Sequence, residues 1–181
     1  KQPDKLIPYA EMAKAEGWKT KYTFKTPQGD WTKEKYDDGS WQEGYGAFGD
    51  RNTEANKTKW SGDDADVYIR RHFNVSKIEK DAKIRIVYSH DDVFELYLNG
   101  EKIVDTGNTW LDDQFVELTP AQAAKLHEGD NVIAAHCHNT TGGAYADFGI
   151  YYTPANVSKF GAAAEQLSCD VLATSSYYTF K

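Results

Sequence analysis

Cysteine is nearly absent: Cys137 and Cys169 are the only two among 181 residues. They form neither a CxxC pair nor a His-rich knuckle, so no redox pair or zinc finger is written in their spacing. They read as free, partly buried thiols, with a single disulfide as the alternative. Long apolar runs are missing as well. None approaches the roughly 20 residues that a bilayer-crossing helix needs, so membrane insertion is not expected. Clusters of Lys and Arg are also lacking. The 21 basic residues are scattered singly against 28 acidic ones, for a formal charge of −7. A surface that tracks phosphates needs grouped cations, so nucleic acid is not an expected partner. No leader pattern opens the chain, which starts on Lys1 and stops on Tyr177-Tyr178-Thr179-Phe180-Lys181, a strand-like run. The expectation is a piece of a longer protein whose localisation signals lie elsewhere.

Aromatic residues are plentiful: 12 Tyr, 8 Phe and 5 Trp, 14% in all. Such rings pack well on a pleated surface and favour β-structure. The length suits one domain with a real core. Residues 9–16 are good helix formers closed by Gly17, which predicts a short lead-in helix. Residues 21–25 alternate and predict a strand. Residues 26–65 lack periodicity, but Trp31, Trp41 and Trp60 predict that this stretch is pinned to the core. In 67–75, Val67, Ile69, Phe73 and Val75 share one face with Arg71, while Tyr68, Arg70, His72 and Asn74 share the other. Arg71, on the apolar side, calls for an acid such as Asp92, because a lone buried charge is costly. Further strands are predicted at 83–88, 93–98, 103–104, 114–118, 131–138 and 146–152, with a helical turn at 120–125. Asn99-Gly100 between two apolar runs is a hairpin signal, since both residues tolerate φ > 0. Many short strands with such turns predict an all-β, antiparallel sandwich with one or two short helices. Residues 1–20 are expected to be a lead-in, 21–155 the sandwich, and 156–181 a tail that begins a following domain.

Four segments carry a resemblance. Tyr36-Asp37-Asp38-Gly39-Ser40-Trp41 is similar to the "FDDSSW" entry of the sugar-binding domains of family-two glycoside hydrolases. Asp66 to Phe73 resembles their "WYRREF" strand, Asp91 to Gly100 their "DDxxEVYLNG" hairpin, and Glu128 to Ala134 their "xGxNxIAV" strand. Order and spacing match over roughly 30–152. The resemblance implies a galactose-binding-like jelly roll. HDDVFELYLNG, AAHCHNTTGGAYADFGIYY and VLATSSYYTF further resemble bacterial glutaminase A-like multidomain proteins. That implies a secreted, periplasmic or cell-surface parent, an accessory sandwich near its N-terminus, other domains of the same chain as partners, and no catalytic residues in this piece.

Candidate ligand contacts follow from the residue types. An exposed Trp stacks on the apolar face of a sugar ring while Asp, Asn or His takes the hydroxyls. Trp110, in a loop, is the candidate platform; packing in the core is its alternative. His90, Asp91, His138, Asn139, Tyr145 and Asp147 are the candidate polar partners for a carbohydrate. Asp91-Asp92 reads as a turn whose carboxylates cap backbone N–H groups, with calcium ligation as the alternative. His136 and His138 share a strand face and could hold a metal with His90 or Asp147, against a plain polar network. The glycines of 139–145 either admit a ligand or merely turn the chain. Cys137 sits between two histidines but points to the opposite face, which rules against a thiol–imidazole pair. No acid/base motif for sugar hydrolysis is visible, and no cofactor is expected. The competing role is a ligand-free interface domain packing on the parent's catalytic domains; an independent glycosidase or amidase ranks last.

Overall fold

The computed structural model describes residues 6–60 and 64–155. Twelve strands and one short helix follow in order: β1 (Ile7–Ala10), β2 (Trp18–Thr23), β3 (Gln42–Gly46), β4 (Phe48–Gly49), β5 (Thr58–Lys59), β6 (Asp66–Val75), β7 (Lys83–Asp91), β8 (Val93–Leu98), β9 (Glu101–Asn108), β10 (Leu111–Glu117), α1 (Pro120–Ala123), β11 (Gly129–His138) and β12 (Tyr145–Thr153). They form two six-stranded sheets. One runs β10-β7-β12-β4-β5 with β1 added on β12; the other runs β3-β2-β6-β11-β8-β9. All pairings are antiparallel except β4 with β5. This is the expected all-β sandwich.

Alternation fills the space between the sheets. Val67, Ile69, Phe94, Leu96, Ile133 and Cys137 face Ile86, Phe148 and Ile150, all of them fully buried. Each large apolar side chain taken out of water contributes about 1.5–3 kcal/mol. The β8–β9 hairpin turns on Asn99 (φ 48°) and Gly100 (φ 89°), the two positive φ angles that a type I′ turn demands. The helical turn at Pro120 is set by Thr119, whose hydroxyl accepts from Gln122 N while the Gln122 side chain accepts from Thr119 N.

The lead-in is not helical. Residues 7–10 form β1 instead, paired with 150–152 of β12. Tyr9 stacks on Tyr152 at 4.6 Å, and Met12 N donates to the Tyr151 hydroxyl at 2.8 Å. Those long-range partners outweigh a helix propensity worth only tenths of a kcal/mol per residue. The aperiodic stretch is pinned as expected, with Trp41 and Trp60 buried. Residues 156–181, and Cys169 with them, lie outside the described residues.

Candidate functional site

Three loops meet at one end of the sandwich, and Asp92 ties them together. Its Oδ2 accepts from Thr140 N (2.8 Å), Thr140 Oγ1 (2.6 Å) and Thr141 N (3.2 Å). Thr140 Oγ1 also reaches Asn108 Oδ1 at 3.2 Å, which links the end of β9. Asp92 is therefore the cap its turn position predicted. Burial works against its charge, but the Thr140 and Thr141 donors prevail and hold its carboxyl below the usual range. Asp91, beside it, is pushed up to about 6, chiefly by burial and then by Asp92. Asn139 donates to Gly142 O at 3.3 Å and holds the loop closed. Trp110 stands in the β9–β10 link with 64% of its surface exposed, so it is not a core residue.

Below this end lies a cleft of about 370 Å³ lined by Arg51, Ser89, Asp112, Asp113, Tyr145 and Asp147, among others. Arg51 pairs with Asp112 at 2.7 Å and lies 4.2 Å over the Tyr145 ring. Asp113 takes φ 50°, and its N–H donates to Ser89 Oγ at 2.9 Å. Sequence reasoning missed Arg51, Asp112 and Asp113. Arg51 sits in the aperiodic stretch, where no pattern tells which side chains return to the site.

The structure does not bring all seven candidates together. Trp110, Asp91, Asn139 and Tyr145 gather at this end. Asp147 also lines the cleft, but both its oxygens are occupied: Oδ1 accepts from Trp18 Nε1 (2.9 Å) and Ala13 N, and Oδ2 from Ala13 N. Its role is to clamp the segment before β2. His90 is fully buried. Its Nδ1 lies 2.6 Å from Asp92 O, and its ring stacks on Phe94 at 5.0 Å. Burial keeps its pKa low, so the ring is neutral and faces the core. His138 lies on the other sheet's outer face, where it and His136 share Asp66 Oδ1 at 2.9 and 2.7 Å. Neither His90 nor Asp147 joins that pair, so the metal arrangement drawn from spacing does not form. Among the described residues no three His, Cys, Asp or Glu side chains are placed to hold a metal ion.

Two further expectations change. Arg71 does not pair with Asp92, which is fully engaged by the Thr140 loop. It donates to Phe148 O at 2.7 Å, lies 4.5 Å over the Trp18 ring, and feels the charge of Asp147. Arg70, read as a polar-face residue, is fully buried. It donates to Asp38 Oδ2 (2.7 Å), to the carbonyls of Lys33 (2.9 Å) and Tyr36 (3.4 Å), and to Trp31 O. Cys137 points into the core as its strand position required, and burial drives its thiol pKa far up, which removes it as a nucleophile.

No family model matches this chain, and no curated protein does. Solved structures do. A β-glucuronidase from glycoside hydrolase family 2 superposes with a TM-score of 0.57 at 17% identity, over 82% of this chain and 18% of its own. A β-glycosidase from Bacteroides vulgatus gives 0.54 at 15%, over 81% and 20%. A β-glucuronidase from an uncultured Clostridium gives 0.51 at 15%, over 84% and 31%. At such identity the likeness concerns the fold: a sandwich of the kind found within larger family-two glycoside hydrolases. The chain spans 18% to 31% of the length of these three structures.

Proposed function

We propose that this chain is a noncatalytic accessory sandwich of a larger hydrolase-like protein, and that its loop end binds carbohydrate. The observation that carries the reading is the Trp110 ring, 64% exposed and two residues before Asp112 of the polar cleft. Trp110 offers an apolar plane for a sugar face. Asp112, Arg51 and Asp91, with Asn139 nearby, offer acceptors and donors for its hydroxyls. His90 and His138 are not part of this site. A glutaminase A-like, secreted bacterial parent belongs to the same proposal and is supported by the sequence segments quoted above. Calorimetric titration against mono- and oligosaccharides, with and without calcium, tests the site. Saturable heat that Trp110→Ala abolishes supports it; no heat with any sugar refutes it.

A second reading has its own support. Phe115 is 61% exposed on β10, the edge strand of its sheet. An apolar ring on a sheet edge suits packing against another domain of the parent. If sugars give no heat, Phe115→Ser in the full-length parent is expected to speed proteolysis between domains. An unchanged cleavage rate would reject the interface.

A further inference from the structure

The sandwich has a second opening, away from the Trp110 loops, between edge strands β3 and β5. A cleft of about 540 Å³ lies there, lined by Glu16, Tyr22, Glu43, Tyr45, Lys57 and Lys59, with Gly44 and Thr58. Tyr45 is 51% exposed. Glu43 is already held by Lys21 at 3.2 Å and Lys19 at 3.9 Å. Lys57 and Lys59 are exposed, and among the described residues neither meets a carboxylate in an ion pair. Two lysines and two glutamates line the cleft, and Glu43 is taken up by Lys19 and Lys21 from outside the lining, which leaves Lys57 and Lys59 opposite Glu16. The cleft thus offers two ammonium groups without an ion-pair partner among the described residues, on a chain whose formal charge is −7.

We infer that this cleft binds an acidic saccharide, a sugar bearing a carboxylate, with Tyr45 as the stacking plane and Lys57 and Lys59 as the counter-charges. A ring half open to solvent beside compact, mobile ammonium groups suits a hydrated, anionic pyranose. A polypeptide adding itself as a strand fits poorly. The outward backbone of Tyr45 is already taken by Thr58, whose Oγ1 donates to Tyr45 O (2.6 Å) and accepts from Tyr45 N (3.3 Å). On the facing side β5 is only two residues long. The inference does not depend on the Trp110 site, because the two share no residue.

The test is titration of the 181-residue chain with trigalacturonate, and with maltotriose as the neutral control, at low and high salt. Trigalacturonate is expected to bind at least about tenfold more tightly than maltotriose at this cleft, and to weaken as salt rises. Tyr45→Ala and the pair Lys57→Gln/Lys59→Gln are each expected to weaken it by about fivefold or more, with unfolding midpoints unchanged. Trp110→Ala is expected to leave it intact. The inference is overturned if trigalacturonate fails to bind, if maltotriose binds equally with the same dependence on Tyr45, or if only Trp110→Ala abolishes binding. It is also overturned if a short polyglutamate peptide binds more tightly with the same dependence on Tyr45.

Discussion

At the scale of single residues, the polar groups of this sandwich act as staples. Arg70 has no exposed surface and holds residues 31–38 through four acceptors. Arg70→Met strands the three carbonyls and leaves Asp38 Oδ2 with His72 Nε2 alone, 2.6 Å away; breaking such a buried pair costs about 3–5 kcal/mol. Urea unfolding is expected to show that loss; a change below about 1 kcal/mol would mean water replaces the guanidinium. Asp91 makes the opposite kind of contribution. Its native carboxyl is raised to about 6 from an ordinary 3.8. The folded state thus holds the proton more tightly, so the stability this group supplies is complete below the ordinary value and is lost as pH rises through the raised one. At pH 7 Asp91→Asn is expected to be more stable than the parent, with the advantage fading on acidification to pH 4. Equal or lower stability at pH 7 would show that the ionised form is the one the turn needs. These roles were only half legible in the sequence. The Asp92 cap followed from its turn position, whereas Arg70 looked like a solvent-facing residue because strand alternation cannot see a loop that folds back over the outer face.

At the scale of elements, local signals worked where local chemistry decides. The β8–β9 hairpin needs two positive φ angles, and Asn99-Gly100 supplies them. β1 is the counter-example, a helix-prone segment drawn out as a strand on β12. Its seat depends on close approach: a Cβ at Gly149 would lie 2.7 Å from Ala10 O and Met12 N. Gly149→Ala is therefore expected to push this segment off the sheet. Hydrogen exchange should rise across residues 7–13 while β6 and β11 stay protected; unchanged exchange would show that the segment shifts without detaching.

At the scale of the whole molecule, the core and the candidate surfaces are separable. Trp110 and Phe115 are 64% and 61% exposed. Replacing either by a small polar residue is expected to leave stability within about 0.5 kcal/mol, as for other surface positions. A larger loss in thermal unfolding would place that ring in the packing of this domain and remove it as a contact for a sugar or a partner. Fold and function also part company at this scale. The sandwich resembles a fraction of several much longer enzymes, and a shared fold leaves the role of each surface to its own side chains.

By itself the sequence determined the class of fold, the strand faces, the hairpin and the side of the strand on which Cys137 lies, because period-two alternation and turn chemistry act over a few residues. Only the tertiary structure decided which polar groups meet. It joined His136 and His138 through Asp66, set Asp147 under the N-terminal segment, and brought Arg51 across to Asp112. Those pairings span tens of residues of chain and are fixed by how two sheets stack, a geometry that no local pattern encodes.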